Sequence, residues 1–323
     1  MLTVSGDIGG TKTHLALIEE KNPRVILKQK KYPSKDFENL EAILLDFLKG
    51  KTVISSACFG IAGPIENGRC HATNLPWIID SKEIAIKLGI DRVHLINDLE
   101  ANAWGIGWLK EEEMLVINKG IQLEGNQALI AAGTGLGQAG FFWDGKVHHP
   151  FACEGGHCDF GPIDQEQIEL WRYLKSQFDH VSYERILSGP GLFSLYQFLI
   201  HSGKEKECET TKMAMQVDNP SKVITEKAMK KECKACMRAL DLFVFIYGAE
   251  AGNLALKLLS FGGLFIGGGI APKIVDVMTN GLFMKGFLAK GRFTKLLSQM
   301  PIKLILNENT ALLGASRYAT ERK

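Results

Sequence analysis

The sequence predicts an α/β fold built from two related halves, and three observations predict it. The chain opens with an apolar run, a glycine turn and a second apolar run, LTVSGDIGGTKTHLALIEE. The same unit returns at 128–143 as ALIAAGTGLGQAGFFW. Between and after these units, strand-like runs alternate with segments of helical spacing, the pattern of α/β packing. With 323 residues the chain is about twice the usual domain length of roughly 100 to 200, so two domains are expected.

Taken in order, the first hairpin is marked by alternation at Thr13, Leu15 and Leu17 after the turn. An apolar run, TVISSACFGIAGP, comes next. Asp80 and Glu83 can open a helix as a capping box that Gly89 closes. The strand VHLI then runs into Asn97 and Asp98, ahead of the helical segment LEANAWGIGWL. The second hairpin ends at an Asp144-Gly145 turn. From about Glu166 the pattern is helical, with a Lys- and Glu-rich stretch at 202–213 as an exposed loop or helix junction. The stretch 240–259 is apolar but interrupted by Asp241, Glu250, Asn253 and Lys257, which predicts a buried or amphipathic helix rather than a membrane span. The strand GLFI meets Gly267-Gly268-Gly269, with Pro272 in the first turn of a helix, and NENTALLGASRYA closes the chain as a helix that docks on the first domain.

Composition excludes several classes. Hydrophobic residues make up 46% and charged residues 23%, an ordinary globular mixture. The 38 Lys and Arg against 36 Asp and Glu leave a net charge of +2, too little for a chain that neutralises a phosphate backbone, so no nucleic-acid partner is expected. The first residues lack a basic start followed by an apolar core, so no secretory signal is read and a cytoplasmic location is expected. Seven cysteines without a spaced framework read as free thiols. Glycine, at 34 residues, is in excess and clustered beside apolar runs.

The string GLGQAG at 135–140 matches G-x-G-x-x-G, but the residues after it, Phe141, Phe142, Trp143 and Asp144-Gly145, read as strand and turn. The helix that would hold a dinucleotide pyrophosphate is missing, and the match is refused. The G-x-x-x-x-G-K-[ST] phosphate loop is also absent. Glycine-rich hairpin tips can instead turn several backbone N–H groups toward one anion, and two such tips could clasp a triphosphate. Taken singly, each is equally a tight turn. Asp7, at the first tip, is suited to bind Mg²⁺ or its waters, or is simply a turn aspartate.

Asn97-Asp98 lies where an open α/β sheet presents ligand-binding groups, after a strand and before a helix. Asp98 is the right chemical type for a general base acting on a hydroxyl, and equally for an N-cap. In FACEGGHCDFGP, Glu154 and His157 are close enough to face one small polar ligand, with the glycines giving it room. Cys153, His157 and Cys158 match no zinc spacing, and Cys233-x-x-Cys236 reads as a pair of packing thiols. Glu184, before ILSGPGLFSLY, is a third candidate acid or a surface charge.

Over essentially the whole chain these motifs resemble, in order, the bacterial glucokinase family of the actin and hexokinase superfamily. Its phosphate and metal segment is similar to DIGGT at 7–11, its second phosphate segment to AAGTGLG at 131–137, and its nucleoside-side segment to IGGGI at 266–270. Its sugar-binding segments are similar to GIAGPI at 60–65, TNLPW at 73–77, LINDLEANAWGI at 95–106, EGGHCDFGP at 154–162 and ERILSGPGL at 184–192. The resemblance implies two actin/ribonuclease-H-like α/β domains with a cleft between them, one of residues 1–109 plus 305–323 and one of residues 110–304. It implies ATP-dependent phosphorylation of D-glucose at its C6 hydroxyl, with Mg²⁺, and a homodimer. Residue by residue it makes Asp98 the catalytic base, and Asn74, Asn97, Asp98, Glu154, His157 and Glu184 the sugar ligands. It puts Asp7 on the metal, and Asp7, Gly9, Gly10, Thr11, Gly133, Thr134, Gly135, Gly268 and Gly269 on the nucleotide. Lys12 departs from the Asn common in close relatives, which leaves its role open. HCDFGPIDQEQ lacks the zinc-binding cysteines of the sister repressor and sugar-kinase group, so structural zinc is not expected. A kinase for another hexose or an N-acetylated amino sugar is the nearer alternative, and a non-catalytic sugar sensor the more distant one.

Overall fold

In the computed structural model, which describes residues 1–49, 53–72 and 75–321, the chain divides into two α/β units. One comprises Met1–Glu113, Pro150–Ala152 and Asn307–Lys323, the other Met114–His149 and Cys153–Leu306.

In the first unit the expected hairpin is β1 (Leu2–Ile8) and β2 (Lys12–Glu19), paired antiparallel from Leu2 opposite Glu19 to Ile8 opposite Thr13. The long β3 (Asn22–Pro33) extends the meander, and α1 (Leu40–Phe47) comes after it with Asn39 as its N-cap, accepting from the Ala42 N–H at 2.9 Å. The apolar run becomes β4 (Ser56–Ile61), buried along its whole length and parallel to β1, as expected of a strand covered on both faces. A small three-stranded sheet is made by β5 (Ile65–Glu66), β6 (Arg69–His71) and β7 (Ile78–Asp80). Then α2 (Ser81–Leu88) starts where Asp80 accepts from the Lys82 N–H at 2.8 Å and stops at Gly89, in the left-handed region at φ 67°. The last elements of the stretch are β8 (Val93–Asn97), parallel to β4, and α3 (Asp98–Ile106). The main sheet runs β3-β2-β1-β4-β8.

The second unit repeats this order. It begins with β9 (Met114–Asn118), and the second hairpin is β10 (Gln127–Ala132) antiparallel to β11 (Leu136–Trp143), with β12 (His148–Cys153) after it. Helices α4 (Gln165–Lys175), α5 (Gly189–His201), α6 (Glu209–Val217), α7 (Pro220–Met229) and α8 (Lys234–Leu258) precede β13 (Gly263–Gly267). Three short helices, α9 (Val275–Met278), α10 (Leu282–Leu288) and α11 (Thr294–Ser298), lead to β14 (Ile302–Ile305). The sheet runs β12-β11-β10-β13-β14-β9, so its first five strands match the first sheet, and β10, β13 and β14 are parallel as β1, β4 and β8 are. The duplication read from two hairpins therefore extends to whole sheets. The apolar stretch expected to be buried is α8, which is long and apolar enough to cross a membrane but is mostly covered by its own unit, with Phe243, Ile246 and Tyr247 fully buried.

The polar stretch 202–213 is a helix junction as expected, since α5 ends at His201 and α6 begins at Glu209. One local expectation needs correction. Pro272 opens a single 3-10 turn, Ala271–Lys273, rather than the first turn of a regular helix, since Ile274 leaves helical dihedrals at φ −124° and ψ 31° before the short α9 begins.

The chain ends in α12 (Thr310–Glu321), in the first unit. It packs on α3 through small residues: Ala311 and Ala315 meet Ala101, and Gly105 and Gly314 bring the two backbones so close that a Cβ at either would collide with the facing chain.

Candidate active site

In the first unit, the candidate groups gather at the C-terminal ends of the parallel strands β1, β4 and β8, where α/β sheets present ligands. Asp7 is the penultimate residue of β1, opposite Gly60 on β4, and Asn97 ends β8 opposite Ile61. Asn97, not Asp98, is the N-cap of α3: its Oδ1 accepts from the Leu99 N–H at 2.8 Å. The Asp98 Oδ1 accepts from the same N–H at 2.9 Å. With Oδ1 engaged, the Nδ2 amide is what Asn97 offers a ligand. Gly60 lets α3 approach: a Cβ there would lie 2.7 Å from the Ala101 Cβ and 3.5 Å from the Asp98 Cα.

The electrostatics of this corner are distinctive. Burial pushes the Asp7 carboxyl up to about 6, the neighbouring charge of Asp98 pushes the same way, and Lys12 opposes them. Asp98 also adds to the effect of burial in raising the Cys70 thiol on β6. Two carboxylates thus face one region from the ends of two elements. The loop Gly9–Thr11 beyond Asp7 is closed by the Gly9 N–H donating to the Lys12 carbonyl at 3.0 Å. It is braced by Ser34, whose Oγ donates to the Gly9 carbonyl at 2.7 Å and whose N–H donates to the Thr11 carbonyl at 3.1 Å. Sequence reading missed Ser34. It lies after the edge strand β3, and only the sheet pairing brings it to the tip. Thr11 and Lys12 are exposed. Asn74, with Thr73, lies outside the described residues.

In the second unit two glycine loops lie side by side at the ends of the neighbouring strands β10 and β13, paired through Ala131 and Gly267. The loop Gly133–Gly135 is closed by the Gly133 N–H donating to the Gly135 carbonyl at 2.8 Å. Gly268 has φ +83°, and a side chain there would run into the Ala132 backbone. Gly268 and Gly269 are exposed.

The same unit brings together Glu154, His157 and Glu184. His157 Nε2 stands 3.9 Å from Glu154 Oε2 and 4.0 Å from Glu184 Oε1. These spacings exceed a direct hydrogen bond and suit a hydroxyl shared among the three groups. Glu184 is held by its other oxygen, Oε2, which accepts from the Leu136 N–H at 2.9 Å. The Glu184 carbonyl accepts from the Ser188 hydroxyl at 2.7 Å, and the Gly189 N–H donates to the Gly133 carbonyl at 2.8 Å. One set of bonds therefore ties the glycine loop to the segment that carries Glu184. Glu154 itself is largely exposed, with a side-chain accessibility of 80%.

Known proteins resemble the chain over nearly its whole length. The sequence model of the family described as Glucokinase matches residues 4–322. The chain is 39% identical over 339 aligned positions to a glucokinase of Nostoc sp., covering 98% of each chain. Its fold is similar to the crystal structure of a glucokinase from an Antarctic psychrotroph, at 30% identity and TM-score 0.84 over 99% of both chains. In fold alone, at 19% identity and TM-score 0.69, it is also similar to a ROK family glucokinase from Streptomyces griseus, solved in complex with glucose and AMPPNP, with 99% of this chain and all of that one covered.

Proposed function

The chain belongs to the glucokinase family, and from that premise we propose that it transfers the γ-phosphoryl group of ATP to the C6 hydroxyl of D-glucose, yielding glucose 6-phosphate and ADP. The observation that carries the reading is the carboxylate pair Asp7 and Asp98 at the ends of adjoining elements, one half-buried and raised to about 6, the other at the head of α3. Phosphoryl transfer to a hydroxyl needs a base for the proton and an anionic group for the cation that accompanies the nucleotide, and the pair supplies both.

Asp98 takes the proton of the C6 hydroxyl as that oxygen bonds to the γ-phosphorus and the bond to the β–γ bridging oxygen breaks. Asn97, through its Nδ2 amide, and Asp98, Glu154, His157 and Glu184 hold the sugar hydroxyls, and Asn74 joins them. Backbone N–H groups of Gly9, Gly10, Thr11, Gly133, Thr134 and Gly135 take the phosphates, and Gly268 and Gly269 leave room on the nucleoside side. Asp7, at the end of β1 beside the Gly9–Thr11 loop, would be the protein contact of a Mg²⁺ ion that accompanies the nucleotide, and such an ion would supply neutralisation of the phosphate charge. The AMPPNP in the Streptomyces griseus structure, an ATP analogue, supports ATP as donor.

The two units would act as the two domains expected from the sequence, in a homodimer working in the cytoplasm. The activity is tested by following sugar phosphate from ATP and Mg²⁺ with glucose, mannose, fructose, galactose and N-acetylglucosamine. Preference for glucose by at least about tenfold in kcat/KM is expected. Preference for another sugar would move the assignment to that sugar's kinase.

A further inference from the structure

Two of the polar residues that interrupt the apolar stretch of α8, Glu250 and Asn253, belong to a hydrogen-bonded network whose purpose the reaction scheme does not explain. Glu250 is fully buried, the one charged residue among the buried positions of its helix. Burying a carboxylate is expensive, and an apolar residue would pack there at less cost. Its two oxygens are used separately. Oε1 accepts from Gln138 Nε2 at 2.8 Å, and Oε2 accepts from Asn253 Nδ2 at 2.9 Å. The Asn253 amide also donates to the Tyr183 hydroxyl at 2.9 Å.

Each of these partners touches a segment with a proposed sugar ligand. Tyr183 immediately precedes Glu184, and its hydroxyl lies against Gly161, 3.6 Å from where a Cβ there would stand, in the segment that carries Glu154 and His157. Gln138, itself buried, lies with its amide oxygen against Gly155, so that a side chain at 155 would run into it. It also stands two residues beyond Leu136, whose N–H holds the Glu184 carboxylate. The network therefore reaches residues 155 and 161 on either side of His157, together with the residue before Glu184.

We propose that Glu250 is a positioning residue for sugar recognition: by accepting from Gln138 and Asn253 at once, it fixes the segment of Glu154 and His157 against the segment of Glu184. A carboxylate is required because the site presents two amide donors, and a glutamine would turn one of its own N–H groups toward a donor. Burial raises the Glu250 carboxyl, and the hydrogen bonds from Asn253 and Gln138, with the more distant charges of Lys257 and Lys290, oppose that shift. Burial also pushes the Tyr183 hydroxyl up to about 12, so it stays protonated.

The inference rests on the reading of Glu154, His157 and Glu184 as glucose ligands, and the experiment separates the two. Glucose binding is measured by calorimetry, and both Michaelis constants by initial rates, for the wild type, Glu250→Gln, Tyr183→Phe and the double variant. Loss of one buried hydrogen-bond partner is expected to weaken glucose binding about tenfold in each single variant while the KM for ATP stays within about twofold. The double variant should bind glucose about as weakly as the weaker single one, because both break one network. Glucose affinity unchanged in folded variants, whatever their melting temperature, would overturn the inference, as would equal rises in both Michaelis constants. Should Glu250→Gln fail to fold, Tyr183→Phe, which removes one hydroxyl, decides on the same criteria. A wild type that binds no glucose would instead overturn the sugar-site reading, and the inference with it.

Discussion

At the scale of single residues, Asp7 makes a prediction that does not depend on turnover. Its folded pKa, about 6, lies above the 3.8 of an unperturbed aspartate, so the folded state binds its proton more tightly than the unfolded state. The stability this contributes is present below pH 3.8 and is lost as pH rises toward 6. Asp7→Asn, which mimics the protonated form, should therefore match the wild type in stability near pH 4. It should gain on the wild type between pH 4 and 6 and hold a constant advantage above that. Urea unfolding across this range measures the difference, and an advantage that shrinks with rising pH would contradict the assigned burial and the Asp98 neighbour. Asp7 and Asp98 were legible in the sequence because each stands at the end of a strand beside a glycine turn or a helix start. Ser34 and Glu250 were not. Each is polar and becomes significant only through burial or bonds to residues far away in the chain, such as Ser34 to Gly9 and Glu250 to Gln138, and periodicity carries no sign of such partners.

Among the elements, the most consequential packing is that of α3 on α12, since α3 begins with Asp98 and is held from behind by the closing helix. Gly314 faces the Ala101 carbonyl so closely that even a methyl group must push the helices apart. Gly314→Ala is expected to destabilise the protein by about 1–3 kcal/mol, an overpacking effect. It should also lower kcat, because the head of α3 moves with the helix. Thermal unfolding and initial rates check both, and a variant with wild-type stability would contradict the close approach. Local signals described the elements well where the chemistry is local: both hairpins, the Asp80 cap and the Gly89 stop of α2 stand where the sequence put them. They failed at Pro272, which is compatible with a helix start but does not require a full helix, and Ile274 breaks the turn after it.

For the whole molecule, the repeated strand order β1, β4, β8 and β10, β13, β14 was only partly legible. The antiparallel strands of the two hairpins are joined by short turns that the sequence displays, whereas parallel neighbours are joined by crossovers, and β10 and β13 are separated by more than a hundred residues. The proposed homodimer should give, by light scattering, twice the 35.7 kDa of the chain. A monomer mass at assay concentrations would remove it. The central claim is that Asp98 is the base for phosphoryl transfer to glucose, and its most direct test pairs turnover with binding in one variant. Glucose 6-phosphate formation from glucose, ATP and Mg²⁺ should fall by at least about 10²-fold in Asp98→Asn, with glucose affinity by calorimetry reduced far less. Near-normal turnover in the variant, or a loss of turnover fully accounted for by lost glucose binding, would contradict it.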